Sequence, residues 1–358
     1  MTDKNLIMIS PEARSVAYSR IKPVVVIVGP TAIGKSRIAI HVAKVWGTEL
    51  LTADSTQVYR GMDIGTDKPT AADHAEVPHR LIDLVDPDQP FNAGEFRRHA
   101  VEEIDGLHRK GLLPIVVGGT GLYVRALLRG LWPGPPVDRS LRKKMEAEAA
   151  ERGWESMVAE LRQVDPESAN VLHPHDRVKV LRALEVYRQT GLPLSQAHRE
   201  HRFQDQPFQA LVLGLTMERS ALYRRIEDRV EVEIEKGLVE ETRRLLAEGY
   251  SRQSVPMKSL GYRQMAGYIE GEYSFDEAVR RLKRDTRHFA KRQMTWFRKE
   301  PNVVWIEMAP EEAPEVVAQR VCLYIDQFMT GLKFTPSRVP PGDVPPGQAQ
   351  SRSQVMAC

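Results

Sequence analysis

The chain has 358 residues, 42% of them apolar and 28% charged, so it can bury a substantial core in one large or two smaller domains. The net charge is +3, and the two cysteines, Cys322 and Cys358, exclude a disulfide framework and a cysteine-based zinc site and favour a reducing cytoplasm. No run of 18 apolar residues occurs, which excludes a membrane-spanning helix.

The first predicted strand is Val24–Val28, a short run of β-branched apolar residues. The segment that follows it, GPTAIGKS, fits the phosphate-loop pattern G-x-x-x-x-G-K-[ST] in full. Its glycines let backbone N–H groups point inward, and the next helix adds its positive end. Lys35 supplies a charge, and the Ser36 hydroxyl can ligate Mg²⁺. The pattern predicts a phosphate site built from Gly29, Pro30, Thr31, Ala32, Ile33, Gly34, Lys35 and Ser36.

Strands and helices then alternate along the chain. A second strand is predicted at residues 49–53, ending at Asp54, then an amphipathic helix at residues 91–111 and a third strand at residues 112–119. This alternation predicts a parallel sheet with right-handed crossovers. The third strand ends in glycines, where a nucleoside triphosphatase would place a Mg²⁺-binding acid. The loop alone therefore does not predict hydrolysis of a nucleotide.

The pattern changes at about Pro133, after which only helices are predicted as far as about His201. A strand returns at Ala210–Met217, followed by helices around residues 222–246 and 276–299 and a late strand at residues 303–307. The predicted fold is α/β, with a P-loop, nucleotide-kinase-like parallel sheet core and an all-helical insertion domain. The predicted parts are an N-terminal extension (1–21), the first part of the core (22–132), the insertion (133–205), the second part of the core (206–332) and a disordered tail (333–358).

The positive charge is concentrated in one predicted helix. Arg280–Lys299 contains many lysines and arginines and a single acid, Asp285. Local positive charge attracts a polyanion more than the net charge of the chain does. A solvated helix face is the alternative at this point.

Seven segments in chain order carry a resemblance: GPTAIGKS, DSTQVYRGMDIGTDKP, PHRLIDLVDP, VGGTGLYVRALL, RALEV, SLGYRQM and KRQMTWFR. Together they resemble the bacterial tRNA dimethylallyltransferase family, also called tRNA isopentenyltransferases, over about residues 23–305. The resemblance implies transfer of a dimethylallyl group from dimethylallyl diphosphate to the N6 amine of an adenosine. That adenosine is tRNA position 37, beside the anticodon, in tRNAs that read codons beginning with U. It also implies that diphosphate leaves, that Mg²⁺ assists and that no ATP is consumed.

The resemblance assigns roles to individual residues. Asp54 matches the general base, which suits an amine whose lone pair is delocalised into the adenine ring. Lys35 and Arg219 would neutralise the departing diphosphate, and Ser36 would hold Mg²⁺. A set of residues matches the tRNA contacts of the family: Asp54, Ser55, Thr56, Gln57, Thr120, Arg142, Arg182, Gly261, Tyr262, Arg263, Lys291, Arg292, Gln293, Trp296 and Arg298. Taken singly, an aspartate such as Asp54 after a strand is more often a helix cap or an outer Mg²⁺ ligand than a base. Thr120 can equally be a helix cap, and Arg219 an exposed surface charge.

The implied partners are the tRNA anticodon stem-loop and dimethylallyl diphosphate, with no membrane and no obligate protein partner, in a cytoplasmic enzyme for which a monomer suffices. Three other functions stay open. An adenylate isopentenyltransferase would not need the long basic helix or the insertion. A small-molecule kinase would consume ATP. A non-catalytic RNA-binding protein would need neither Asp54 at a strand end nor the Lys35-Ser36 pair.

Overall fold

The computed structural model describes residues 22–201 and 207–332, so the predicted N-terminal extension and tail lie outside the described residues. Contacts divide the chain into two compact units. The described residues before 129 and after 206 form the first unit, and those from 129 to 201 form the second. No helix in the described ranges is both long and apolar enough to cross a membrane.

The first unit is built on six strands in the order β3-β2-β4-β1-β5-β6. They are β1 (Pro23–Val28), β2 (Leu50–Thr52), β3 (His79–Arg80), β4 (Ile115–Gly118), β5 (Gln209–Met217) and β6 (Val303–Met308). Every neighbouring pair is parallel, which confirms the predicted parallel α/β sheet. The carboxyl ends of all six strands therefore meet at one edge, where ligands bind in sheets of this kind.

Fourteen α-helices occur in the described ranges. They are α1 (Lys35–Trp46), α2 (Ala71–Glu76), α3 (Ala93–Arg109), α4 (Gly121–Arg129), α5 (Arg139–Arg152), α6 (Trp154–Val164), α7 (Pro166–Val171), α8 (Arg177–Thr190), α9 (Leu194–His201), α10 (Arg219–Glu235), α11 (Leu238–Ala247), α12 (Tyr262–Ile269), α13 (Phe275–Phe297) and α14 (Pro314–Gly331). A 3₁₀ helix, Pro256–Lys258, precedes α12.

The central strand β1 is buried on both faces, which explains its unbroken apolar sequence. Because side chains alternate along a strand, Val25 and Ile27 join the hydrophobic cluster that contains α1 and α14. Val24, Val26 and Val28 join the cluster on the opposite face, beside α3 and α4. The phosphate loop thus leaves a strand that is fixed from both sides.

The second unit contains α5 to α9, and no strand occurs in its described residues, 129–201. Its core gathers Met145, Met157, Leu161, Val180 and Leu184, with Trp154 at the edge. The predicted insertion, 133–205, includes most of the described residues of this unit.

Two features of the first unit differ from the sequence predictions. The single helix predicted around residues 222–246 was wrong, because the chain breaks at Gly237, whose φ of 99° ends α10 and begins α11. The short strand β3 and the helices α2, α12 and α14 were not predicted. Strand β3 matters for the site because it carries His79 to the sheet.

Candidate active site

The phosphate loop and two polar residues follow three neighbouring strands of the sheet. The loop, residues 29–36, follows β1, Asp54 comes after β2, and Thr120 comes after β4. These strands are neighbours in the order β2-β4-β1. Together they border a cavity of about 300 Å³, called the central cavity here, which Thr31, Lys35, Ser36, Asp54, Thr120 and Arg229 help to line.

The phosphate loop has the backbone of an anion site. Gly34 has a φ of 94°, a left-handed conformation that favours glycine. Helix α1 begins at the next residue, and no side chain caps its first N–H groups. These N–H groups and the positive end of the helix dipole are available to an anion. The loop therefore provides the geometry that its sequence predicted.

Lys35 is held inside this loop, where its Nζ donates a hydrogen bond to the carbonyl oxygen of Pro30 at 2.7 Å. The pKa of Lys35 is lowered to about 8, mainly because the side chain is buried; the Asp54 carboxylate opposes this shift, and the nearby Arg229 contributes to it. The ammonium is thus charged at neutral pH but poorly compensated. A bound anion would stabilise that charge.

Asp54 is held by one of its two oxygens. Its Oδ1 accepts hydrogen bonds from the Thr56 N–H at 2.8 Å and from the Thr56 hydroxyl at 2.6 Å. Within the described residues, Oδ2 accepts no hydrogen bond. The carboxylate is therefore fixed in orientation while one oxygen stays open to a proton donor.

Thr120 joins the turn after β2 to the end of β4. Its hydroxyl oxygen accepts a hydrogen bond from the Ser55 N–H at 3.0 Å and lies 3.3 Å from the Ser55 hydroxyl. Its own N–H donates to the Ala53 carbonyl at 3.2 Å. The structure thus brings Asp54, Ser55 and Thr120 together, as the sequence predicted.

Gln293 of α13 bridges the loop and β4. Its Oε1 accepts from the Thr31 N–H and its Nε2 donates to the Gly119 carbonyl, both at 2.9 Å. A Cβ on Gly119 would lie 2.2 Å from Gln293 Nε2, and one on Gly121 would lie 2.2 Å from Trp296 Cδ1. These glycines are needed because α13 packs directly on the segment. Gln293 was predicted to contact tRNA, but its buried amide is engaged at both ends inside the protein.

Gln57 and Tyr262, two further predicted tRNA contacts, are also engaged inside the protein. Gln57 Nε2 donates to the carbonyls of Thr66 and Asp67 at 2.9 and 3.0 Å. Tyr262 is fully buried, and its hydroxyl donates to Glu241 at 2.6 Å. The Glu241 carboxylate also accepts from backbone N–H groups of residues 63–65. These side chains hold the loop that forms one wall of the central cavity.

Residues next to Tyr262 differ in position. Gly261, with a φ of 86°, precedes α12 and allows the close turn into that helix. Arg263 is ion-paired to Asp285 at 2.9 Å and lines the central cavity. Of the predicted Gly261–Arg263 segment, the structure therefore presents the Arg263 side chain, and not that of Tyr262, to a ligand.

Arg219 is not brought to the central cavity. It begins α10 on the surface, where its Nε donates to the Tyr223 hydroxyl at 2.9 Å and its guanidinium lies 5.0 Å from that ring. Arg229 of the same helix does line the central cavity, with Nη1 2.9 Å from the Thr31 hydroxyl and 3.3 Å from the Asp67 carboxylate. Arg225 also reaches the loop, donating to the Ile33 carbonyl at 3.3 Å.

The spacing of these two arginines in the sequence is a signal that could have identified them. Arg225 and Arg229 are four residues apart and therefore share one helix face. Arg219 lies ten residues before Arg229, which is about 15 Å along a helix. Which of the three arginines faces the loop depends on where α10 begins and on which of its faces packs against the sheet.

The outer face of α13 carries the predicted basic surface. Lys291, Arg292 and Arg298 are exposed. The guanidinium of Arg125 lies 4.3 Å from the Trp296 ring centre, and Glu300 pairs with Arg125. An open cavity of about 700 Å³ lies here, lined only by Arg125, His288, Lys291, Arg292, Thr295, Trp296 and Lys299. The cationic and aromatic lining suits a single-stranded polyanion.

Arg142 and Arg182 belong to the helical unit, where they share one acid. Glu185 is fully buried and accepts from Arg182 at 2.8 Å, from Arg142 at 3.2 Å and from the Asp138 N–H at 2.8 Å. The two arginine side chains remain 31% and 28% exposed. The structure thus brings these two predicted tRNA contacts together as a fixed pair.

Sequence comparison finds the same family over most of the chain. A family model described as IPP transferase matches residues 57–300, and one described as isopentenyl transferase matches residues 22–85. A similar relative is tRNA dimethylallyltransferase 2 of Geotalea uraniireducens (strain Rf4). It is 49% identical over 304 residues, which cover 85% of this chain and 96% of the relative.

Solved structures give the same result. The tRNA isopentenylpyrophosphate transferase of Bacillus halodurans is similar with a TM-score of 0.66 and 37% identity, over 87% of this chain and 98% of that one. A eukaryotic dimethylallyltransferase acting on tRNA is similar with a TM-score of 0.75 and 26% identity, over 88% and 82% of the two chains. With matches of this extent, the chain belongs to the IPP transferase family.

Proposed function

We propose that the protein is a tRNA dimethylallyltransferase, which moves the dimethylallyl group of dimethylallyl diphosphate to N6 of adenosine 37 in tRNAs that read codons beginning with U. The observation that carries the proposal is the central cavity, which joins a phosphate loop to a carboxylate with one open oxygen. Family membership supports the same activity. A cytoplasmic location and a monomeric state stay predictions.

The loop side of the cavity suits a leaving diphosphate. Lys35, the N–H groups at the start of α1 and the Arg229 guanidinium all present positive charge to the same space. As the bond between the allylic carbon and the diphosphate oxygen breaks, negative charge grows on the diphosphate. Fixed donors stabilise such developing charge more than water does.

Mg²⁺ fits this site chemically. The described residues contain no cluster of three or more His, Cys, Asp or Glu that could hold a metal. Mg²⁺ commonly binds through substrate phosphates and one or two protein ligands, keeping several waters. The exposed Ser36 hydroxyl is the ligand that the loop offers. The ion would neutralise charge on the diphosphate.

The carboxylate side suits the adenine amine. Asp54 Oδ2 would accept a hydrogen bond from the N6 amine and orient its lone pair toward the allylic carbon. As the C–N bond forms, one amine proton passes to the carboxylate, and the electron pair of the breaking C–O bond leaves on diphosphate. The Thr56 bonds to Oδ1 keep the carboxylate from rotating during this transfer.

The RNA substrate suits the basic surface of α13. An adenosine in a stacked loop must be turned out to enter a cavity, at a cost of a few kcal/mol. Single-stranded loops allow this, because their bases can be splayed out and stacked on aromatic groups. The cations along α13 and the Trp296 ring beside Arg125 offer contacts that offset this cost.

The test is a transfer assay with ¹⁴C-labelled dimethylallyl diphosphate and Mg²⁺. One tube contains an anticodon stem-loop with adenosines at positions 36 to 38, a second contains the same stem-loop with guanosine at position 37, and a third contains AMP. We expect label only in the first tube. Label in AMP alone would instead support an adenylate isopentenyltransferase. A fourth tube contains the first stem-loop and ATP in place of the prenyl donor, and ATP consumption there, with no label in RNA in the first tube, would support a kinase.

A further inference from the structure

His79 is a buried side chain that the proposed reaction has not used. It lies in β3, opposite Leu50 of β2, and is 7% exposed. Its Nδ1 lies 2.8 Å from the Val77 carbonyl oxygen. Its Nε2 is buried and has no hydrogen-bond partner among the described residues. A buried polar atom in this state costs free energy unless a ligand or water meets it.

The contact with Val77 fixes the tautomer. A carbonyl oxygen only accepts hydrogen bonds, so Nδ1 carries the proton. Burial lowers the pKa of His79, and the His74 ring, 5.2 Å away, lowers it further, while the Val77 carbonyl and Asp73 act in the opposite direction. The ring is therefore neutral at pH 7, and Nε2 presents an unprotonated lone pair. This lone pair has no hydrogen-bond donor among the described residues.

The location of His79 connects it with the phosphate loop. His79 lines the central cavity and also a second cavity of about 490 Å³ that shares Lys35 and Ser36 with it. Meanwhile β4, the strand beside the loop, ends in Gly118 and Gly119 rather than in an acid that could orient the waters of a metal ion. Such outer partners are a regular part of metal sites.

We infer that His79 is a positioning residue whose Nε2 accepts a hydrogen bond from a water ligand of the Mg²⁺ held by Ser36 and the diphosphate. The inference rests on the proposed function, which places the metal and the diphosphate at the loop. A metal-bound water is a strong donor, whereas a fully ionised diphosphate has no proton to give to a lone pair. The water, and not the diphosphate, is therefore the partner.

Two substitutions separate this role from a structural one. His79→Asn keeps a donor near the position of Nδ1 and so retains the Val77 contact, but it removes the acceptor at Nε2. His79→Gln places an amide oxygen near the position of Nε2 but gives up the Val77 contact. If His79 has only a structural role, the Asn variant should bind Mg²⁺-diphosphate better than the Gln variant. If His79 is a positioning residue, the Gln variant should bind it better.

The measurement is calorimetric titration of the full chain with inorganic diphosphate, with and without Mg²⁺. In Mg²⁺ we expect about tenfold weaker binding by the Asn variant, the size typical of losing an outer partner of a metal ligand, and binding within about twofold of wild type by the Gln variant. Without Mg²⁺ all three proteins should bind diphosphate equally. Thermal unfolding of the free proteins should rank the Asn variant above the Gln variant.

Three outcomes would overturn the inference. The first is wild-type Mg²⁺-dependent binding by the Asn variant. The second is an equal loss with and without Mg²⁺, which would assign His79 a contact with the diphosphate itself. The third is absence of diphosphate binding by the wild-type protein, and this last result would also contradict the proposed function, whereas the first two leave it standing.

Discussion

The two compact units differ in how completely a few of their polar groups are paired within the chain. In the helical unit the charged groups described here have ion-pair or hydrogen-bond partners within the unit. Arg188 pairs with Glu148 and Glu160 at 2.8 and 2.7 Å, and the carboxylate of Asp165 accepts from the Ser195 hydroxyl and N–H at 2.6 and 3.0 Å. Glu185 is shared in the same way by two arginines. These groups pair with one another, and the pairs hold the helices together.

In the sheet unit, three polar groups at the strand ends are only partly used. Lys35 has one carbonyl partner, Asp54 has an open oxygen, and His79 has an unprotonated nitrogen without a donor in the described chain. All three line the central cavity. The difference indicates that the helical unit is a scaffold and that the sheet unit binds the ligand. Polar groups without partners are typical of sites where a bound substrate supplies the missing contacts.

The most severe test of this comparison is Asp54→Asn. The amide oxygen can still accept both Thr56 bonds, so we expect the free energy of unfolding to change little. Loss of the proton acceptor should lower the transfer rate about 10³-fold, within the range of general-base effects. Single-turnover transfer and chemical denaturation measure the two quantities. Asp88→Asn, at an exposed position outside the cavity lining, is the matched control, and a rate above a tenth of wild type for Asp54→Asn would exclude its role as base.

Lys35→Met sharpens the contrast between function and stability. Without the loop cation, kcat/KM should fall by about 10²- to 10³-fold, as for loss of a major electrostatic contact to the transition state. At pH 7 the free energy of unfolding should rise by about 1–3 kcal/mol, because the variant no longer buries a poorly compensated charge.

The pH dependence of that difference has a definite sign. The pKa of Lys35 is about 8 in the folded protein, below its ordinary value of 10.5. Between these pH values the unfolded chain binds more protons at this group, so the wild type gains stability as pH rises. The advantage of the Met variant should therefore be full below pH 8 and vanish by about pH 10.5. An advantage that grows with pH would contradict this account of Lys35.

Glu185→Ala tests the closed network of the helical unit. The change leaves two part-buried arginines and the Asp138 N–H without their acceptor, and we expect unfolding to become easier by about 3 kcal/mol. Binding of Mg²⁺-diphosphate should not change. Glu151→Ala, on an exposed part of α5, is the control and should cost little. An equally small cost for Glu185→Ala would mean that the network is not a scaffold.

The smallest effect concerns the arginines of α10. Arg229→Gln should lower kcat/KM for dimethylallyl diphosphate about tenfold, since one charge-assisted contact to the substrate is lost. Arg219→Gln, at the surface, should change it less than about twofold. Steady-state kinetics and the unfolding midpoints of both variants decide the matter. The reverse order would return Arg219 to the role predicted from sequence.

Local sequence was sufficient for much of the sheet unit. The run Val24–Val28 and the pattern GPTAIGKS each encode their structure within a few residues, because β-branched runs and positively charged glycine loops follow local rules. Asp54 and Thr120 could also be placed together, since the ends of parallel strands must meet at one edge. To predict that these residues lie together, it is enough to assume a common strand order for a parallel sheet.

The remaining features depend on contacts between distant residues. The break at Gly237 interrupts an apolar period that continues on both sides, so the single glycine gave only a weak signal. The burial of Gln293 arises from a contact with Thr31, 262 residues away. A two-residue strand such as β3 has no periodicity to detect, and so His79 could not be placed.

The contact between Gln293 and the Thr31 N–H also has a thermodynamic consequence. The same helix carries the exposed cations Lys291, Arg292 and Arg298, so one helix both contacts the phosphate loop and presents the surface proposed to bind RNA. If filling the loop shifts α13 and changes RNA affinity by some factor, bound RNA must change diphosphate affinity by that same factor. The order in which the two substrates bind would then affect the rates of assembly, while the free energy of the ternary complex stays the same along either route.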